Sequence, residues 1–176
     1  MSEKIKKIDT HVHFRDRGEA YKETIKGGLK KAAAQGIIAV CDMPNKKPLT
    51  LYEEDVLLLL RLAKKAKSKV KYLVWVGITT DEKQIEEAVR LVRTTPEVVG
   101  IKLYAGPSTG NLGITTEEEL RKIFKTLVEL DYEGVLAVHC EEKSELRENL
   151  WDPQKPETFG KVRPIAAEVK SVKKVL

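Results

Sequence analysis

The chain has 176 residues, enough for one sizeable core, and its 41% apolar and 34% charged composition excludes a disordered polymer. No apolar run approaches the ~20 residues of a membrane span, and the opening Met1-Ser2-Glu3-Lys4 is charged rather than signal-like, so a cytoplasmic protein with no membrane partner is expected. The net charge of +5 arises from 32 basic and 27 acidic residues interleaved along predicted helices, which reads as a solvated, ion-paired surface and gives nucleic-acid binding no motif or aromatic support.

The elements alternate. Residues 4–13 are the first strand candidate, and residues 19–35 a helix candidate weakened by Gly27-Gly28. Ile37-Ile38-Ala39-Val40-Cys41 is a short continuous apolar run, as in a strand covered on both faces. Met43-Pro44-Asn45-Lys46-Lys47-Pro48 then forms a loop. Thr50 and Glu53 predict a capping box for a largely covered helix reaching about Lys67.

Residues 70–78 are the third strand. Asp81 and Gln84 are expected to cap a helix whose Ile85, Ala88, Val89 and Val92 keep helical spacing. Residues 98–103 are the fourth strand, followed by a loop over 104–113 rich in Gly, Ser, Thr and Pro. Thr115 and Glu118 predict the cap of an amphipathic helix carrying Leu120, Ile123, Phe124, Leu127 and Val128. Residues 134–139 are the fifth strand, and a long polar loop punctuated by Pro153, Pro156 and Pro164 follows. The last helix would bury Ile165, Ala166, Val169, Val172 and Leu176 on one face. Cys41 and Cys140 end apolar runs and are expected as buried free thiols.

Strict strand–helix alternation argues for parallel strands with crossover helices, an α/β fold. An open doubly wound sheet and part of a closed eight-fold (β/α) TIM-type barrel both satisfy it, and the lack of a Gly-rich turn after the first strand counts against a dinucleotide-binding sheet. About five of eight units are present. The last helix reaches Leu176 in mid-pattern, so the expectation is one domain over 1–176, a barrel truncated after its fifth unit.

In parallel α/β folds, sites gather at the carboxyl ends of the strands. His11, His13 and Arg15 stand there after the first strand, Asp42 and Asn45 after the second, Lys102 and Tyr104 at the fourth, and His139 and Glu141 at the fifth. Residues two apart on a strand share a face, so His11 and His13 can grip one metal ion; they can equally be polar residues at a strand edge. The third and last histidine, His139, ends another apolar run. Lys102 interrupts an otherwise apolar strand. It either snorkels to water or is buried and readily neutral, and a neutral amine can take up carbon dioxide as a metal-bridging carbamate.

The ordered set His11-Val12-His13-Phe14-Arg15, Met43-Pro44-Asn45, Gly100-Ile101-Lys102-Leu103-Tyr104 and His139-Cys140-Glu141 resembles the amidohydrolase superfamily. Within it, the combination is most similar to dihydroorotases and their cyclic-amidohydrolase relatives. The resemblance implies that His11 and His13 ligate one zinc ion, that Lys102 as a carbamate bridges it to a second, and that His139 ligates the second. It implies that Arg15 and Asn45 bind the carboxylate of dihydroorotate, and that the reaction is reversible, metal-assisted ring closure of carbamoyl aspartate in pyrimidine biosynthesis. A hydantoinase- or allantoinase-type cyclic amide hydrolase is the alternative substrate class. The family's sixth-strand histidine and eighth-strand aspartate have no counterpart in this sequence. A non-catalytic, dihydroorotase-like scaffold subunit is therefore a further alternative. Little activity is expected of the five units alone, and a second copy or a complementing chain is the expected partner.

Overall fold

In the computed structural model, residues 6–176 are described; Lys4 and Ile5 of the expected first strand, and the opening Met1-Ser2-Glu3-Lys4, lie outside them. The strands are β1 (Lys7–Val12), β2 (Ile37–Asp42), β3 (Lys71–Gly77), β4 (Val98–Ala105), the short β5 (Gly113–Ile114) and β6 (Leu136–Cys140). Every pairing is parallel, in the order β1, β2, β3, β4, with β6 against β4 and β5 against the carboxyl end of β4. The helices are α1 (Ile25–Ala34), α2 (Glu53–Lys65), α3 (Glu82–Thr94), α4 (Glu117–Glu129), the short α5 (Phe159–Val162) and α6 (Ile165–Val175). This is the expected βα alternation, arranged as an incomplete TIM-type barrel.

The core lies between the sheet and its crossover helices. Val74 and Val76 of β3, Ile101 and Leu103 of β4, and Ile85, Val89 and Leu91 of α3 are all essentially sealed. Two glycines mark where the chain packs too closely for a side chain. A Cβ on Gly28 would sit 2.0 Å from the Phe14 ring, so Gly28 inside α1 makes room for the residue that follows the two histidines. A Cβ on Gly100 would meet the Val135 carbonyl at 2.4 Å and Trp75 at 2.8 Å, which keeps β4 tight against the entry to β6.

The first helix is shorter than its pattern. It begins at Ile25, where the Thr24 side chain accepts the Gly27 N–H, while residues 18–22 fold into turns over the loop after β2, with Gly18 N–H on the Lys47 carbonyl. The cap of α2 is not Thr50 with Glu53. Thr50 is buried, and Asp55 instead accepts the N–H groups of Leu51 and Tyr52 at 3.2 and 3.3 Å. Leu57 is exposed, so α2 is less covered than its apolar run suggested.

Asp81 does cap α3, but Gln84 is used elsewhere. Its amide donates to the carbonyls of Leu51 and Gly77 and accepts the Thr79 N–H. The α4 capping box is Thr116 with Glu119, one residue later than expected, and Val128 faces water. The largest correction is α6. Its small residues Ala167 and Ser171 face inward, the Ser171 hydroxyl donating to the Ala105 carbonyl at 2.9 Å, whereas Ile165, Val169 and Leu176 are exposed. Close approach to the end of β4 favours small side chains, and this overrides the apolar periodicity. Both cysteines are free; Cys41 is buried and Cys140 half-buried. No helix among the described residues is long and apolar enough to cross a membrane.

Candidate active site at the strand ends

Each candidate comes to the mouth for a reason of register. His11 and His13 straddle the end of β1, and strand alternation sets both rings on one side, with centroids 5.1 Å apart. Lys102 and Tyr104 share a face of β4, and the Lys102 ammonium lies 5.2 Å from the Tyr104 ring centroid. The β4–β6 register puts His139 opposite Tyr104, ring centroids 6.0 Å apart. Asn45 arrives from the loop after β2. Together His11, His13, Asn45, Lys102, Tyr104 and His139 line one cavity of about 480 Å³.

The loop after β4 (Pro107, Ser108, Thr109) and Arg163, at the end of α5, complete the rim. Arg15 is not part of this wall. Its guanidinium donates to the Asn45 backbone carbonyl and lies 3.9 Å from Glu19, so it backs the loop that presents Asn45. Arg163 donates to Glu141, whose carboxylate also lies 3.5 Å from His139 Nε2.

The electrostatics suit neutral donors. Burial, reinforced by the Arg15 charge, pushes His13 down to about 4, and burial together with Lys102 lowers His11. Burial also lowers Lys102, which is only 4% exposed and has no carboxylate partner among the described residues. Neutral imidazoles are the metal-binding form, and a lysine that gives up its proton readily is the form that can take up carbon dioxide. The Asn45 Oδ1 and the Tyr104 hydroxyl are enclosed and have no hydrogen-bond partner among the described residues, so the cavity is built to receive polar atoms from elsewhere. In donor chemistry the residues fit a metal. The set is nonetheless partial: no three His, Cys, Asp or Glu side chains among the described residues converge closely enough to hold an ion.

Sequence reasoning placed Tyr104 at the mouth without a role and did not find Arg163 or Lys46. The two-residue spacing from Lys102 was the available signal for Tyr104. Arg163 carried none, because a long loop brings it over the cavity. Lys46 read as part of a charged loop, yet it is 1% exposed.

The sequence profile of the amidohydrolase family matches residues 6–151. A dihydroorotase of Methanosarcina acetivorans is 36% identical over 176 residues, an alignment covering 96% of this chain and 35% of that protein. Among solved structures, L-hydantoinase (dihydropyrimidinase) from Arthrobacter aurescens superposes with a TM-score of 0.76 at 19% identity, over 95% of this chain and 37% of that one. A dihydroorotase from Saccharomyces cerevisiae, in complex with 5-fluoroorotic acid, superposes with a TM-score of 0.65 at 22% identity, over 97% of this chain and 43% of that one. These likenesses establish the shared barrel architecture. The chain spans about a third of the length of the curated relatives it matches. From the profile match and the strand-end cavity together, the chain belongs to the amidohydrolase family.

Proposed function

We propose that the chain carries the metal- and carboxylate-binding part of a dihydroorotase-type cyclic amide hydrolase. The observation that carries this reading is the convergence of His11, His13, Lys102, His139 and Asn45 on one cavity at the carboxyl ends of parallel strands. His11 and His13 would hold one zinc ion, and Lys102, carboxylated, would join it to a second held by His139. Such ions polarise a carbonyl and lower the pKa of water, which is the chemistry that opening a ring amide requires.

The protein's own part is to bind and orient. Asn45 would present its amide to the substrate carboxylate, with Arg15 behind it supplying positive charge and fixing the loop. The buried Tyr104 hydroxyl stays protonated, because burial pushes it up, and it is available as a donor to the ring. The substrate would be dihydroorotate or carbamoyl aspartate in cytoplasmic pyrimidine biosynthesis. β1 and β6 each pair on one side only among the described residues, so a second copy or a complementing chain would complete the wall.

A non-catalytic scaffold subunit is the alternative reading. Zinc titration of the purified chain separates the two. The hydrolase reading expects saturable binding that His11→Ala or His13→Ala weakens by about tenfold or more. Zinc binding that is absent, or unchanged by both substitutions, overturns it in favour of a scaffold. Turnover of dihydroorotate in preference to hydantoin, lost on Asn45→Ala, would support the carboxylate-bearing substrate; the reverse preference would overturn it.

A further inference from the structure

The loop after β2 contains the largest fully buried side chain in the described structure, and it is a lysine. Lys46 donates to Asp42, which is also sealed. The Asp42 carboxylate accepts two further hydrogen bonds, from the Tyr72 hydroxyl at 2.6 Å and from the Phe14 N–H at 3.0 Å. Phe14 is the residue between His13 and Arg15. Its ring stacks on Tyr72 at 6.3 Å and fills the space left by Gly28. Lys46 directly follows Asn45. Its own N–H donates to the Pro44 carbonyl at 2.9 Å, and the Met43 N–H reaches back to the Val12 carbonyl at 2.9 Å.

A buried ion pair is a poor device for stability alone, since apolar residues of the same shape usually do as well. What this one does is join two separate segments at a single carboxylate. We infer that Asp42 and Lys46 form a positioning clamp that fixes the His11/His13 strand end against the Asn45 loop. His11, His13 and Asn45, which line the cavity, and Arg15, which backs the Asn45 loop, all lie on those two segments. Asp42 holds the first through the Phe14 amide and the second through Lys46. The clamp bears on function only through the metal and carboxylate site proposed for this cavity, but its geometry can be read without any ligand.

The test pairs two double variants of the full chain. Asp42→Leu/Lys46→Met removes both charges and both ties. Asp42→Asn/Lys46→Met keeps an acceptor for Phe14 and releases only the loop. In the first, the Phe14 amide is expected to exchange with solvent roughly tenfold faster relative to the Ile101 amide, as the loss of one hydrogen bond implies, and the His13 ring resonances shift. In the second, Phe14 stays protected while the Asn45 side-chain resonances broaden or move. Zinc affinity should fall about tenfold in the first. If the first variant folds and keeps wild-type Phe14 exchange and His13 resonances, the clamp is overturned. If it does not fold, unchanged Asn45 resonances in the second variant overturn the clamp instead. A wild-type chain that takes up no zinc counts against the hydrolase reading, while amide exchange still decides the clamp.

Discussion

The centre and the rims of the sheet are built differently, and the candidate site draws on both. Every residue of β4 except Val99 is buried, enclosed by β3 and β6 at its sides and by α3 and α4 across one face. No residue of β1 or β6 is fully buried. Lys102 and Tyr104 come from the sealed centre, and His11, His13 and His139 from the rims. The lysine is thus desolvated by the same packing that stabilises the fold, whereas the histidines are placed by strand register and by ties such as the Phe14–Asp42 bond. The pattern puts the desolvated lysine at the centre and the more exposed imidazoles at the edges.

That contrast can be broken by mutation. The largest effect should come from Ile101→Ala, at the fully enclosed centre: a loss of about 2–5 kcal/mol in denaturant unfolding is expected, against under about 0.5 kcal/mol for Ile8→Ala on the exposed rim. Comparable losses at the two sites would erase the distinction. Next is Gly100→Ala, which forces β4 away from Val135 and should cost about 1–3 kcal/mol. A neutral result would mean that the β4–β6 seam is loose.

Smaller still is the cap of the helix covering the centre. Thr116→Ala should cost about 1 kcal/mol while Thr115→Ala changes stability little, and the opposite ranking would return the cap to its sequence-predicted position. Sharpening the rim side takes a titration rather than an unfolding curve. In metal-free protein the His13 imidazole should titrate by NMR near 4 instead of the usual 6.5. Because the unfolded chain takes up the proton first, the His13 contribution to stability is complete above about pH 6.5 and declines as pH falls towards 4. A midpoint at the ordinary histidine value would show that neither partial desolvation nor the Arg15 charge disfavours the His13 imidazolium.

Much of this protein was legible in its sequence because it rests on local periodicity. Alternation put His11 and His13 on one side, continuous apolar runs marked β2, β3 and β4, and breaks in the pattern singled out Asn45 after β2, Lys102 within β4 and His139 near the end of β6. What the tertiary structure alone decided depends on contacts between distant segments. Thr50 lost its cap because it is buried against the neighbouring loop and β3, accepting the Gly77 N–H on its carbonyl. The apolar stripe of α6 faces outward because Ala167 and Ser171 fit against the end of β4. Lys46, placed by its sequence only within a loop, is sealed because Asp42 at the end of β2 offers it a carboxylate that water cannot reach. Periodicity reports which way a side chain points from its own element; which neighbours enclose it, and therefore whether a charge is solvated or paired, is set only when the elements pack.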